Sequence, residues 1–583
     1  MRRTLMVLLT GSVLAATGCE DFLTVTPKVV TREVFYTDHA HVEQAAIKVY
    51  AAVRDMFGPE FRLVGDLRGD LTTHQTSGRP ILDDTYELEQ YTEHSGHSVI
   101  DGLYRKVFRT IFDANVVLSR IDAVEWPEDE AAWKEQLRAE AKVGRALAYW
   151  VALQLWGLGE SWQPTNLAVP LILDELTHPD QAFELQRATV QQVYDQIIKD
   201  LTEARPNLVD RVPPSGQVGR FTKGAATFLL GATYQLDPSA TAQQQALAAF
   251  EELEAMGYTL ITTGTAASGN NAYRHVFNPE NKNNAESILE LQYSQTIDTN
   301  LQFSPLRQNL NPDHSPLNAA GGGDVNTPTR VAIWGASGNG NYLPTPNLVL
   351  SFAGASAAGD ATPVDLRYRG GYGQFCPGSG TSGVLNAADE LAENASPNTA
   401  YPEVNIASVR DPITGEIRQN CIAYYTKWRW PGQSAGIGRD NNNWIVFRYA
   451  DALLRRAEVL ANLNRPDEAL AVLNQVRARA GLDPLAGLSG NALKEAILQE
   501  RAWELAGEGH RFMDLKRFGL ASEIISGDYA ADRAARLPSL PAGSYMRDGS
   551  TYRLRLPIRP EDVRLSGCRI LQNPGWGGEC AET

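Results

Sequence analysis

Helical periodicity fills both ends of the chain and lapses over the middle, and that alternation limits the fold more than any single motif does. From Asp38 to about Met256, apolar residues return at three- and four-residue intervals, with Pro or Gly between the runs. The spacing predicts helices over 39–57, 101–122, 130–156, 187–204, 222–236 and 241–256, and a second block over 446–463, 466–480 and 490–506. In the first helix of that second block, Ala450, Leu453, Leu454, Ala457, Leu460 and Ala461 mark one face, while Arg455, Arg456, Glu458 and Asn462 face elsewhere. Alanine-rich faces and turns such as Asn464-Arg465-Pro466 point to tetratricopeptide-like helical hairpins, whose small residues let backbones approach, although no 34-residue period is visible. At 583 residues the chain exceeds one compact core. The expected fold is mostly α, a tetratricopeptide-like helical-hairpin scaffold with a long irregular, loop-rich insertion.

That insertion covers 257–443, where Gly, Asn, Pro, Ser, Thr and aromatics replace the periodic pattern. Irregular spans of this size are uncommon unless functional, so the recognition surface is expected there and in the shorter irregular span 58–100. Aromatic rings on irregular backbone, such as Trp334 and Tyr342, suit sugars: C–H faces lie on rings while Asp, Asn and Arg meet hydroxyls.

The N-terminus reads as an export signal over 1–18: Arg2 and Arg3 precede an apolar run from Leu5 to Ala16, which ends in Ala16-Thr17-Gly18-Cys19. As helix the run spans about 18 Å, short of the roughly 30 Å hydrocarbon core. A cysteine straight after small residues resembles a bacterial lipobox, so Cys19 is expected to be acylated and to hold a tether, 19–37, at a lipid bilayer. The remaining Cys376, Cys421, Cys568 and Cys580 favour two disulfides in an exported chain, and the closest pairing in sequence is Cys376 with Cys421 and Cys568 with Cys580. With neither CxxC nor His beside a Cys, no metal is expected, nor any cofactor. A formal net charge of −16 opposes nucleic acid as a partner.

The densest polar stretch is "QERAWELAGEGHRFMDLKRFG", 499–519. Glu500, Glu504 and Glu508 lie four apart on one face if the helix persists, although Gly507 and Gly509 are expected to end it. Paired carboxylates hydrolyse glycosides only across a cleft with two environments, which one continuous face does not supply. A structural role is preferred, with Glu and Arg pairing to neighbouring elements. The run Glu500-Arg501, Glu504-Leu505, Glu508-Gly509-His510-Arg511, Asp514-Leu515, Arg517 resembles the signature of the SusD/RagB family of outer-membrane nutrient-binding lipoproteins. "CEDFLTVTPK", "GRFTKGAATFLLGATYQL", "PTPNLVLSF", "DLRY", "FRYADALLRRAEVLANL" and "LPIRPEDV…NPGW" follow the family's order across nearly the whole mature chain.

The resemblance implies a SusD-like superhelix and a cell-surface, lipid-anchored binder on the outer membrane. Such a protein captures oligosaccharides or similar polymer fragments and passes them to a TonB-dependent, SusC-like transporter, with no enzymatic activity. It also implies a pocket between the 58–100 span and the insertion just ahead of "PTPNLV", for which Trp334, Tyr342, Tyr86 and Tyr91 are the stacking candidates and Asp66, Arg68 and Asn341 the polar ones. The organisation read this way is 38–256 helical, 257–443 ligand-binding insertion, and 444–583 helical region and tail. Competing readings are a surface glycan-degrading enzyme and a protein-interaction scaffold without a small-ligand pocket. "GRFTKG" lacks the order of a phosphate loop, and Thr222 is expected to cap the next helix. His74, His94 and His97 are expected as solvated loop residues.

Overall fold

A computed structural model describes residues 36–74, 84–265, 270–293, 342–345, 348, 351–352, 365–375, 409–410, 417–418, 422–425, 427–428, 442–526, 551–578 and 580–581. The scaffold helices are α1 (His39–Met56), α2 (Ser98–Arg120), α3 (Ala131–Ala152), α4 (Val190–Ala204), α5 (Lys223–Tyr234), α6 (Ala240–Ala255), α7 (Tyr449–Asn462), α8 (Pro466–Arg479), α9 (Gly490–Leu505) and α10 (Arg511–Arg517). The strands that matter below are β1 (Thr72–His74), β2 (Ser287–Leu291), β3 (Tyr342–Pro344), β4 (Tyr372–Phe375), β5 (Ile422–Tyr425) and β6 (Trp444–Arg448). Each helix from α1 to α5 packs on its successor. Then α6 packs directly on α7, which packs on α8 and α9, so the superhelix is continuous across the long span between Ala255 and Tyr449.

Side chains at the helix entrances explain where the helices begin. Asp38 accepts the His41 N–H at 3.1 Å ahead of α1, and Thr189 with Gln192 forms a reciprocal capping box ahead of α4. Thr222 accepts the Ala225 N–H at 3.1 Å, so "GRFTKG" starts α5 as a cap. Small residues set the helix spacing: a Cβ on Gly144 of α3 would lie 2.4 Å from Val49 of α1, and one on Gly231 of α5 would lie 2.9 Å from the Phe250 ring of α6.

Residues 446–448, expected in a helix, belong instead to β6, because the run Trp444-Ile445-Val446-Phe447 suits a pleated, buried surface. This strand runs antiparallel to β2, with Trp444 opposite Leu291 and Arg448 opposite Ser287, and so ties the start of the insertion to its end. Phe447 drives the ladder into the helical core, stacking on Phe228 at 4.4 Å between ring centroids and meeting Trp150 edge-on at 5.6 Å.

The C-terminal tail folds back onto the first helical block. Leu556 donates its N–H to the Leu155 carbonyl at 2.8 Å, Trp156 donates to the Pro557 carbonyl at 2.9 Å, and Asn573 donates to the Trp156 carbonyl at 3.0 Å. Cys568 and Cys580 form a disulfide there, with Cα atoms 5.2 Å apart. Reducing it is expected to cost about 2–3 kcal/mol in chemical unfolding, since the loop is short. Cys376 and Cys421 lie outside the described residues; the β4–β5 ladder has Phe375 opposite Ile422 as its last pair, one residue short of each cysteine.

Candidate functional site

The glutamates of the 499–519 stretch prove to be interior. Helix α9 ends at Leu505, and Gly507 and Gly509 take φ of +78° and +82°, a region favouring glycine, to turn the chain into α10. Glu500 accepts from Arg367 at 2.6 Å and from Arg477 at 2.9 Å. Glu504 pairs with Arg448, Arg479 and Arg367, while Glu508 takes two hydrogen bonds from Arg448 at 2.8 Å each and one from Lys427 at 2.8 Å. Arg479 also reaches Glu286 at 3.1 Å, and Asp365 pairs with Arg367 at 2.7 Å. A second cluster joins Arg501, Arg455 and Arg517 to Asp451, Asp514 and Glu458.

Both clusters balance in charge, which is what allows them to stay dry. Burial pushes the Glu504 carboxyl up, but Arg479, Arg448 and Arg367 overcome that and hold it well below the usual range. Asp514 is likewise held at about 2 by Arg501 and Arg517 against the upward push of burial. Carboxylates whose oxygens are committed to arginine, with no open face, cannot act on a substrate; they join α9 and α10 to α7, α8, β6 and the insertion. Partners such as Arg367, Arg448 and Glu458 were present in "DLRY" and "FRYADALLRRAEVLANL", yet nothing local to those segments marks them as partners.

The same turn anchors the irregular span 58–74. Gly509 donates its N–H to Asp66 at 3.0 Å, Arg511 makes a bidentate pair with Asp70 at 2.6 and 2.9 Å, and a Cβ on Gly65 would sit 2.1 Å from the Gly509 carbonyl oxygen. Strand β1 then pairs with β3, placing Thr72 opposite Pro344 and His74 opposite Tyr342. Thr345 fastens the junction, donating its N–H to the Leu71 carbonyl and its hydroxyl to the Asp70 carbonyl, each at 2.8 Å. The span ahead of "PTPNLV" and the 58–100 span therefore meet in one ladder.

Tyr342 is half-buried in β3, and Tyr86 lies on the short helix Asp84–Gln90. Trp334 and Asn341 are outside the described residues. Asp66, Arg68 and Tyr91 face inward, contrary to the expectation that they meet ligand. Arg68 is fully buried, paired with Glu93, donating to the Arg553 carbonyl at 2.7 Å, and lying 4.2 Å over the Tyr91 ring. Tyr91 donates to the Arg68 carbonyl. These groups brace the floor beneath β1. His97, expected in solvent, is buried with Nε2 facing the Asp84 carbonyl at 2.7 Å, so it fixes the loop. Among the described residues no group of three His, Cys, Asp or Glu could hold a metal.

Burial pushes the Asp66 carboxyl up to about 7, outweighing the Gly509 N–H and Arg62. A raised carboxylate pKa means folding is favoured by the proton: its contribution is complete below pH 4 and is lost as pH rises through about 7. Asp66→Asn keeps an acceptor for Gly509 without the charge. It is expected to match the wild type in thermal unfolding at pH 4 and to exceed it by about 1–3 kcal/mol at pH 8. A lower stability than wild type at pH 8 would remove this account of Asp66.

A SusD family model matches residues 285–576, half of the chain. The chain belongs to the SusD family. A second family model, described as starch-binding and associating with the outer membrane, matches residues 21–234. The SusD-like protein P25 of Formosa agariphila is 26% identical over 530 residues, covering 87% of this chain and 88% of that protein. Among solved structures, a SusD homolog from Bacteroides thetaiotaomicron superposes with a TM-score of 0.70 at 19% identity, covering 94% of this chain and 99% of that one. A laminarin-binding SusD-like protein superposes with a TM-score of 0.62 at 22% identity, covering 93% and 100%. These superpositions cover nearly the whole of both chains and agree with the SusD-family scaffold seen here.

Proposed function

We propose that this SusD-family protein is a non-catalytic, lipid-anchored receptor at the surface of the outer membrane, which captures oligosaccharide and delivers it to a TonB-dependent, SusC-like transporter. The observation that carries the reading is the β1–β3 ladder, which sets Tyr342 of the insertion beside a span braced from below by buried Arg68, Tyr91 and Asp66. A rigid floor under aromatic-bearing loops suits carbohydrate, because stacking rings are of use only when held in place. The laminarin-binding relative and a surface glycan-binding protein from Bacteroides thetaiotaomicron, of similar fold, support glycan as the ligand class. Acylation at Cys19 supplies the tether; one acyl chain holds weakly, so contact with the transporter adds to residence.

Affinity electrophoresis against laminarin and starch, with Trp334→Ala and Tyr342→Ala beside the wild type, tests the pocket. Retention is expected for the wild type and a drop of about tenfold in affinity for Trp334→Ala. Unchanged affinity in both variants would move the pocket elsewhere, and shorter products released on incubation would remove the non-catalytic reading. Labelled palmitate is expected on the wild type and absent from Cys19→Ala.

A further inference from the structure

The tail segment 551–578 reaches the floor of the 58–100 span as well as the first helical block. Arg553 donates through Nη1 to the Glu93 carbonyl at 2.9 Å. The same guanidinium lies 3.6 Å from Glu93 Oε2, a buried oxygen with no hydrogen-bond partner of its own. The Arg553 carbonyl accepts from Arg68 at 2.7 Å. The link therefore runs both ways: a tail side chain holds Glu93, and a side chain of the span holds the tail backbone.

The tail in turn keeps Arg553 in place. Its guanidinium lies 5.1 Å from the ring centroids of both Tyr552 and Trp576, which meet edge-on at 5.4 Å. Trp576 donates to the Arg555 carbonyl at 2.7 Å. A Cβ on Gly575, whose φ is +81°, would lie 2.3 Å from the Tyr552 ring, so the two stretches of tail meet with no space between them. Gln572, Asn573 and Trp576 all fall within the loop closed by the Cys568–Cys580 disulfide. Gln572 accepts the Ile558 N–H and donates to the Ile558 carbonyl, each at 2.7 Å, while its own N–H goes to the Cys580 carbonyl at 2.8 Å. Covalent closure fixes the segment that carries Trp576, and Trp576 fixes Arg553.

From Glu93 the contacts continue to the ladder. Arg68, paired with Glu93, accepts the Tyr91 hydroxyl at its carbonyl, and Glu89 of the short helix Asp84–Gln90 accepts from Thr73 of β1 at 2.7 Å. Strand β1 pairs with β3, where Tyr342 lies opposite His74. We propose that the disulfide-closed tail is a strut that sets the position of the glycan-facing span, with Arg553 as its positioning residue. The inference rests on the reading of that span as the glycan site. Arg553 acts through Glu93 and Arg68, whose buried polar groups lose partners when the tail lifts. Loosening the strut leaves the ligand-facing rings present but removes their order, so affinity falls without loss of a direct contact.

Hydrogen exchange and affinity electrophoresis on the full chain test this, with laminarin or starch as probe, whichever the wild type retains. In Arg553→Ala, amides of 64–72 and 88–97 are expected to exchange about tenfold faster while those of α1 and α7 keep wild-type rates. Glycan affinity is expected to fall about threefold to tenfold. Arg553→Lys keeps a charge opposite Glu93 and is expected to recover part of both losses. Arg564→Ala, whose partner is the neighbouring Glu561 at the tail surface, is expected to change neither. Reducing Cys568–Cys580 in the wild type leaves every other side chain in place and is expected to reproduce the Arg553→Ala pattern, which decides the case if that variant fails to fold. Wild-type exchange at 88–97 in both Arg553→Ala and the reduced chain, or faster exchange spread evenly over the helices, would overturn the strut. Faster local exchange with glycan affinity unchanged would overturn the positioning role. A wild type that retains neither laminarin nor starch would count against the glycan reading alone, because exchange still decides the strut.

Discussion

Glu504→Ala is expected to lower unfolding free energy by about 3–5 kcal/mol, the range for removing one partner from a buried ionic cluster. The carboxylate faces Arg448, Arg479 and Arg367 together, so its loss leaves three guanidiniums sharing too little negative charge in a dry site. Urea unfolding followed by circular dichroism measures the change, and a loss under about 1 kcal/mol would show that the cluster is not the joint described here. The pH dependence has a definite sign. Carboxylates such as Glu504 and Asp514, held below their unfolded values, stabilise the fold above about pH 4, and that contribution fades as pH falls toward about 2. Acid unfolding of the wild type is therefore expected to begin below pH 4, and Glu504→Ala is expected to show a shallower acid limb.

Phe447→Ala is expected to cost a comparable amount, about 3–5 kcal/mol, because the ring is 1% exposed and is held between Phe228 and Trp150. The position has a second consequence. Phe447 belongs to β6, whose ladder with β2 closes the insertion, so the substitution loosens the base of the insertion as well as the core. Hydrogen exchange is expected to quicken at Ser287–Leu291 more than at α1 or α2. Uniform exchange across the chain would mean that β6 belongs to the core and does not act as a clamp.

The scaffold was legible because long amphipathic helices repeat their pattern many times. Runs such as 466–480 and 490–506 matched α8 and α9 to within a residue at each end. Strand β6 was misread because a short apolar run joined to a helix is ambiguous in period, and only its partner β2, some 150 residues earlier, settles the matter. The same distance effect hid the ionic clusters: the glutamates could be seen to share a face, but their arginines come from β6, α8 and the insertion. Arg68, Asp66 and Tyr91 looked like ligand contacts because polar and aromatic residues on irregular backbone usually face solvent. In the fold, the Gly509 turn closes on Gly65 and Asp66, while Glu93, Arg553 and Phe512 enclose Arg68 beside Tyr91, and no local spacing records those approaches.

Because α6 seats directly against α7, the polypeptide between them departs and returns at neighbouring points, fixed by the scaffold whatever its own length. Closing a longer excursion between fixed ends then costs little, about 0.6 kcal/mol for each doubling. Residues of that stretch that lie outside the β2–β6 ladder and the buried ionic cluster can be added, deleted or exchanged with slight thermodynamic penalty. Sequence can accordingly diversify there as a separable cassette while the helical framework remains the same.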